Sequence, residues 1–176
     1  MQQITRADLL RGDWMGKHKA TPLPWSVSRA KFIDACICCD NCIDACPQSV
    51  IEKGPGGYPQ LNFSQNSCTF CGECAQVCEH DVFQVPTTIE QPTLLQAEVS
   101  KDCLTHSNIL CNACGDACEA DAIVFQPVVH KMPQPLINTS ACTGCGECYR
   151  YCPVDAIRIT RTQAHPEVTE TGGLTP

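Results

Sequence analysis

The chain has 176 residues and 17 cysteines, with 13 prolines, 6% aromatic residues and a net charge of −7. Leu, Ile, Val and Phe make up about a fifth of it, close to the level at which chains stop folding unaided, so a large hydrocarbon core is excluded and disulfides or metal must help to hold it together. Charge is unevenly spread: residues 1–31 carry six basic residues against Asp8 and Asp13, while the rest carries six basic against seventeen acidic. An acidic body with a basic arm is not the footprint of a nucleic-acid binder.

Residues 1–25 form the expected basic arm, holding both tryptophans, Trp14 and Trp25, with Leu9 and Leu10 as further apolar anchors. The start has no apolar stretch of the Sec kind, and Arg6 stands alone where a Tat signal has paired arginines. No run of apolar residues is long enough to span a membrane. These features predict a cytoplasmic protein. Disulfides rarely persist there, so its cysteines read as metal ligands. Their odd number also argues against a disulfide framework.

The first cysteine ladder is Cys36, Cys39, Cys42 and Cys46, with spacing x2, x2, x3. From Val50 to Phe63, two short β-like runs flank a Gly/Pro turn. The second ladder, Cys68, Cys71, Cys74 and Cys78, repeats the spacing. Pro86 to Pro92 reads as a linker, and Thr93 to Val99 as an opening strand. In the third ladder Cys111, Cys114 and Cys118 keep the pattern, but seven residues instead of two separate Cys103 from Cys111. Ala122 to Ile137 is again strand, turn, strand. The fourth ladder, Cys142, Cys145, Cys148 and Cys152, is regular, and residues 162–176 form a polar tail.

The four ladders are an internal repeat. Aligning their last cysteines superimposes Val50, Val82, Ala122 and Ala156, and after them Ile51, Phe83, Ile123 and Ile157. C-x2-C-x2-C-x3-C-P is bacterial ferredoxin spacing. Three cysteines at x2 intervals wrap one face of a cubane, and the fourth opens a short helical turn that points toward a second cluster. Pro47 and Pro153 suit the start of such a turn. Zinc sites want two separated C-x2-C pairs instead. The reading is therefore four 4Fe–4S clusters on sixteen cysteines.

The intervening strands pair the first motif with the second and the third with the fourth. This predicts an α+β chain of tandem two-cluster ferredoxin-like units (βαββαβ) over 26–90 and 91–161, its small core held by iron–sulfur clusters. Cluster one takes Cys36, Cys39, Cys42 and Cys78; cluster two takes Cys68, Cys71, Cys74 and Cys46. Cluster three takes Cys103, Cys111, Cys114 and Cys152; cluster four takes Cys142, Cys145, Cys148 and Cys118. A rival arrangement nests motifs two and three inside a pair made by one and four. Cys103 is either a ligand on a lengthened loop or a free cysteine beside a three-cysteine site. Cys38, the seventeenth, matches no position in the other copies and reads as a small buried residue, with a substitute-ligand role as the alternative.

Glu79 and Glu119 stand where Pro47 and Pro153 stand elsewhere, either lowering cluster potentials or facing water. Gly72, Gly115 and Gly146 follow cysteines, where small size lets the backbone approach a cluster. His18, His80, His106, His130 and His165 have no ligand spacing and are expected as ordinary surface residues.

Thr5-Arg-Ala-Asp-Leu-Leu-Arg-Gly-Asp-Trp14, Pro24-Trp25-Ser26, Gly56-Gly57-Tyr58-Pro59 and the stretched third motif together resemble the NapF family, ferredoxin-type accessory proteins of periplasmic nitrate reductase systems. The likeness covers nearly the whole chain. Arg6 is single where the family often shows adjacent arginines. The resemblance implies a cytoplasmic iron–sulfur protein that contacts the catalytic subunit, NapA, before export and assists its maturation, by electron transfer or cluster-related help. Two rival roles are an electron-transfer subunit of a membrane-associated oxidoreductase and a cluster donor for assembly. Such wiring subunits are generally longer, and a donor needs labile clusters. No nucleotide loop or activated nucleophile suggests an enzyme.

Overall fold

A computed structural model describes residues 21–84 and 95–161. The expected arm over residues 1–20, the linker Pro86 to Pro92 with the first residues of the opening strand, and the tail 162–176 lie outside the described residues.

Helices and strands are mixed, and all are short. The first half contains α1 (Arg29–Ala35), α2 (Asn41–Asp44), β1 (Ile51–Lys53), a 3-10 turn (Pro55–Gly57), β2 (Pro59–Leu61) and α3 (Glu73–Gln76). The second contains β3 (Leu95–Val99), a 3-10 turn (Leu104–Ser107), α4 (Ala113–Asp116), β4 (Ile123–Val128), β5 (Lys131–Ile137), α5 (Glu147–Arg150) and β6 (Ile157–Arg161). β1 pairs antiparallel with β2, Ile51 facing Leu61. β3 pairs antiparallel with β6, Leu95 facing Arg161 and Val99 facing Ile157. β4 and β5 form a hairpin with a bulge between Gln126 and Val128. Two-stranded sheets leave free edges, so Pro127, Pro133 and Pro135 are accommodated within the hairpin.

The halves are alike but unequal. Where the second closes on the five-residue β3–β6 ladder, the described residues of the first show the isolated bridge Ser26 to Phe83 at the corresponding place.

The repeat positions are the core. Val50, Ala122 and Ala156 are each about 1% exposed, and Ile51, Ile123 and Ile157 beside them are buried. Three residues after the last cysteine of their motifs, Ser49, Asp121 and Asp155 adopt left-handed backbone, at φ 52°, 48° and 51°. Ser and Asp tolerate such turns better than bulky residues. Each turn delivers the next two residues inward. The resulting apolar cluster is continuous across both halves, joining Leu23, Val50, Leu61 and Phe63 to Leu95, Ala97, Ile123 and Ile159.

The start of the described chain belongs to this body. Thr21 bridges Leu61, Leu23 is 1% exposed, and Trp25, at 4%, stands edge-on to Phe70 with ring centroids 6.3 Å apart. Trp25 is therefore a core residue, not an exposed anchor of the arm. Hydrogen bonds from Val27 N–H to the Val82 carbonyl and from Gln84 N–H to the Trp25 carbonyl hold it there.

The halves meet at the second and fourth motifs. Cys68 N–H donates to the Cys145 carbonyl at 2.8 Å, and the Phe63 and Tyr149 rings lie 6.4 Å apart. The Arg161 guanidinium donates to the carbonyls of Ser26 and Val27, each at 2.9 Å, tying the end of β6 to the start of the first half. Gly146, at φ 86°, leaves no space for a side chain, since a Cβ there would lie 2.2 Å from the Phe63 ring. Gly57 has a similar φ of 81°, but a Cβ would meet nothing within 4 Å. Gly57→Ala should thus cost only left-handed strain, about 1–2 kcal/mol. Gly146→Ala adds a collision and should cost about 3 kcal/mol or more. Thermal denaturation of the two variants side by side checks the difference.

Candidate iron–sulfur site

Each motif is built by the same local device. The third cysteine of each ladder, Cys42, Cys74, Cys114 and Cys148, sits in a single helical turn, α2, α3, α4 and α5 respectively. In the regular motifs the residue before that turn is left-handed: Asp40 at φ 68°, Gly72 at 82° and Gly146 at 86°. The residue two places after the first cysteine is left-handed as well: Cys38 at 56°, Phe70 at 55° and Gly144 at 74°. Alternating left- and right-handed residues turn successive N–H groups toward one concavity, the arrangement used to hold phosphates and iron–sulfur clusters.

The third motif departs from this. Asn112, before α4, has φ −123°. Gly115 lies inside α4 and is not left-handed, so its small size has another cause: a Cβ there would stand 2.7 Å from the Phe125 ring. Asp40 fills a position that takes glycine in the other two regular motifs, and its carboxylate binds Lys53 Nζ at 2.6 Å.

The sixteen ladder thiols fall into four sets. One cavity is lined by Cys36, Cys39, Cys42 and Cys78, with Phe32 and Val82 among its apolar walls. A second is lined by Cys46, Cys68, Cys71 and Cys74, with Trp25 and Leu61. In the second half, Cys114 interacts electrostatically with Cys103, Cys111 and Cys152, and Cys148 with Cys145, Cys142, Cys114 and Cys118. Cys78 thus lies beside first-motif thiols and Cys46 beside second-motif thiols, while Cys152 neighbours Cys114 and Cys118 neighbours Cys148. Cys103 stands with its set despite the longer spacing, because a 3-10 turn, Leu104–Ser107, takes up the extra chain.

Burial pushes the Cys42, Cys68 and Cys114 thiols up to about 11, and repulsion from neighbouring thiols adds to it. Cys74 and Cys148, in the apolar core, rise to about 12 for the same reasons. Burial raises Cys36 too, opposed by a backbone hydrogen bond involving Cys38. Backbone N–H groups point at several sulfurs: Ala97 to Cys142 at 3.5 Å, Ala122 to Cys118 at 3.3 Å and Ala156 to Cys152 at 3.2 Å.

Among the described residues no three His, Cys, Asp or Glu side chains close tightly enough to hold a single metal ion. A cubane makes a different demand, one thiolate per iron at four corners. All-thiol sets of four with amides aimed at the sulfurs fit that demand.

The remaining candidates divide. Cys38 is half-buried, lines the first cavity and interacts with Cys36, so it belongs to the site's wall and is not a fully buried filler. His80 also lines that cavity, half-buried, and is not an ordinary surface residue. His106 and His130 are exposed, as are Glu79 and Glu119, where a charged residue facing water belongs. His18 and His165 lie outside the described residues. Two contributors escape sequence reasoning: Phe70, whose ring backs Trp25 at the second cavity, and Thr105, a buried hydroxyl beside Cys103. The one sequence signal for Thr105 is its place in the lengthened third motif.

Comparison with known proteins agrees with this chemistry. The 4Fe-4S dicluster domain family matches residues 35–82 and 109–161, which makes the chain a ferredoxin-type iron–sulfur protein with a repeated domain. The ferredoxin-type protein NapF of Escherichia coli (strain K12) is 37% identical over 161 residues, 92% of this chain and 97% of that one. NapF of Haemophilus influenzae is 38% identical over 136 residues, 77% of this chain and 76% of the relative. The methylamine utilization ferredoxin-type protein MauM of Methylorubrum extorquens is 26% identical, covering 80% and 72%. The chain belongs to the NapF family of ferredoxin-type proteins.

Thiols must shed their protons to hold iron. Because the folded sites lift several thiols from 9.0 to about 11 or 12, protons compete there more strongly than at a free cysteine, and the competition grows as pH falls. Iron loss from loaded protein to a chelator should accelerate several-fold between about pH 8 and about pH 6. Following the visible absorbance against time at each pH tests the sign.

Proposed function

We propose that the chain is a non-catalytic polyferredoxin of the cytoplasm that carries four 4Fe–4S clusters and assists maturation of the nitrate reductase catalytic subunit, NapA, before export. Each half is one two-cluster βαββαβ unit, about 26–90 and 91–161, the outer strand pair of the first reduced to a bridge. Cys36, Cys39, Cys42 and Cys78 hold one cluster, and Cys46, Cys68, Cys71 and Cys74 the next. Cys103, Cys111, Cys114 and Cys152 hold the third; Cys118, Cys142, Cys145 and Cys148 hold the fourth.

The observation that carries this reading is the exchange of the fourth cysteine, Cys78 standing with Cys42 and Cys46 with Cys68 and Cys74. Bound clusters would take up and release single electrons. The protein's part is to hold the thiolates, aim amides at them and exclude water with walls such as Trp25, Leu61 and Phe32. Family membership supports NapA as the partner, and the basic segment before residue 21 is the candidate contact.

Two measurements test the proposal. Anaerobically purified protein should contain about sixteen irons per chain, whereas about twelve would remove the third set. Anaerobic pull-down should retain NapA. Deleting residues 1–20 should abolish that capture with iron content unchanged; a collapse of iron content would make the segment structural instead.

A further inference from the structure

The stretch between Cys103 and Cys111 is a built element. His106 N–H donates to the Cys103 carbonyl at 3.0 Å, and Ile109 N–H to the Leu104 carbonyl at 3.0 Å. Asn108, left-handed at φ 63°, accepts a hydrogen bond from Met132 N–H on β5 at 2.9 Å through its Oδ1. This pins the turn to the hairpin.

Inside the turn sits Thr105, a polar residue only 1% exposed. A buried hydroxyl needs a partner, and its Oγ1 lies 3.3 Å from Cys103 Sγ. An iron-bound thiolate has no proton to give, so in the loaded protein the hydroxyl must donate. Elsewhere in this half Cys118, Cys142 and Cys152 receive backbone N–H groups. Cys103 receives a side chain.

Resting on the assignment of Cys103 to the third set, we propose that Thr105 is a positioning residue for that set. It fixes the Cys103 sulfur toward Cys111, Cys114 and Cys152, and it eases electron uptake there. A donated hydrogen bond stabilises negative charge on sulfur, so it favours the state carrying one more electron and raises the potential. No proton leaves Thr105 in the process.

The test uses the full chain, reductive titration with dithionite and mediators followed by EPR, and iron release to a chelator. Thr105→Val keeps the volume and removes the donor. It should move one EPR component to lower potential, leave the others in place, and speed the release of about four of about sixteen irons several-fold. Thr105→Ser should restore both readings. If Thr105→Val fails to fold, Thr105→Ser against Thr105→Ala isolates the hydroxyl. Unchanged potential and release in the hydroxyl-free variant, with about sixteen irons bound, overturn the role of Thr105 alone. Wild-type protein with about twelve irons overturns the four-set reading and this role with it.

Discussion

Buried sulfur is the constraint on which the rest of this molecule depends. Cys74, Cys114 and Cys148 are both ladder thiols and members of the apolar core, packed with Leu61, Phe63 and Ile123. Core and site are thus one object. Their thiols rise to about 11 or 12 because burial and neighbouring thiols both oppose ionisation. Positive iron reverses that balance by pairing each thiolate with a metal centre. Adding an oxidised cubane with four thiolates contributes about −2 per set, so a loaded body is more acidic than its side chains suggest.

The short elements follow from the same constraint. Helical turns of four residues and strands of three bury little by themselves, and neither would persist in isolation. They are spacers between left-handed corners that turn amides inward. Where a larger protein stacks hydrocarbon layers, this chain gathers thiols from distant ladders, Cys36 and Cys78 in one half and Cys103 and Cys152 around Cys114 in the other.

Much of this was legible in the sequence, because x2 and x3 spacings set how far neighbouring sulfurs can reach. The pair of residues four and five places after each last cysteine was equally plain, and Val50, Ile51, Ala122 and Ile123 occupy the core accordingly. What was not legible depends on contacts between distant segments. Trp25 is core because Phe70 and Gln84 come to it from far along the chain. Gly115 follows a cysteine as Gly72 does, but Phe125 explains it, not backbone handedness. Thr105 was hidden because a lone threonine in a lengthened loop carries no periodic signal.

Gly72 and Gly146 occupy the same place in their motifs, yet they are under different pressures. A Cβ at position 72 would meet only the Gln76 amide at 3.7 Å, whereas at position 146 it would strike Phe63 of the other half. At the equivalent first-motif position Asp40 already stands, left-handed and paired with Lys53. Over evolutionary drift, position 72 is therefore open to Asp or Asn, while position 146 is closed to everything but glycine. The duplicated halves have ceased to be interchangeable copies: the fourth motif has become the seat of the second, and Gly146 belongs to the joint as much as to its own ladder.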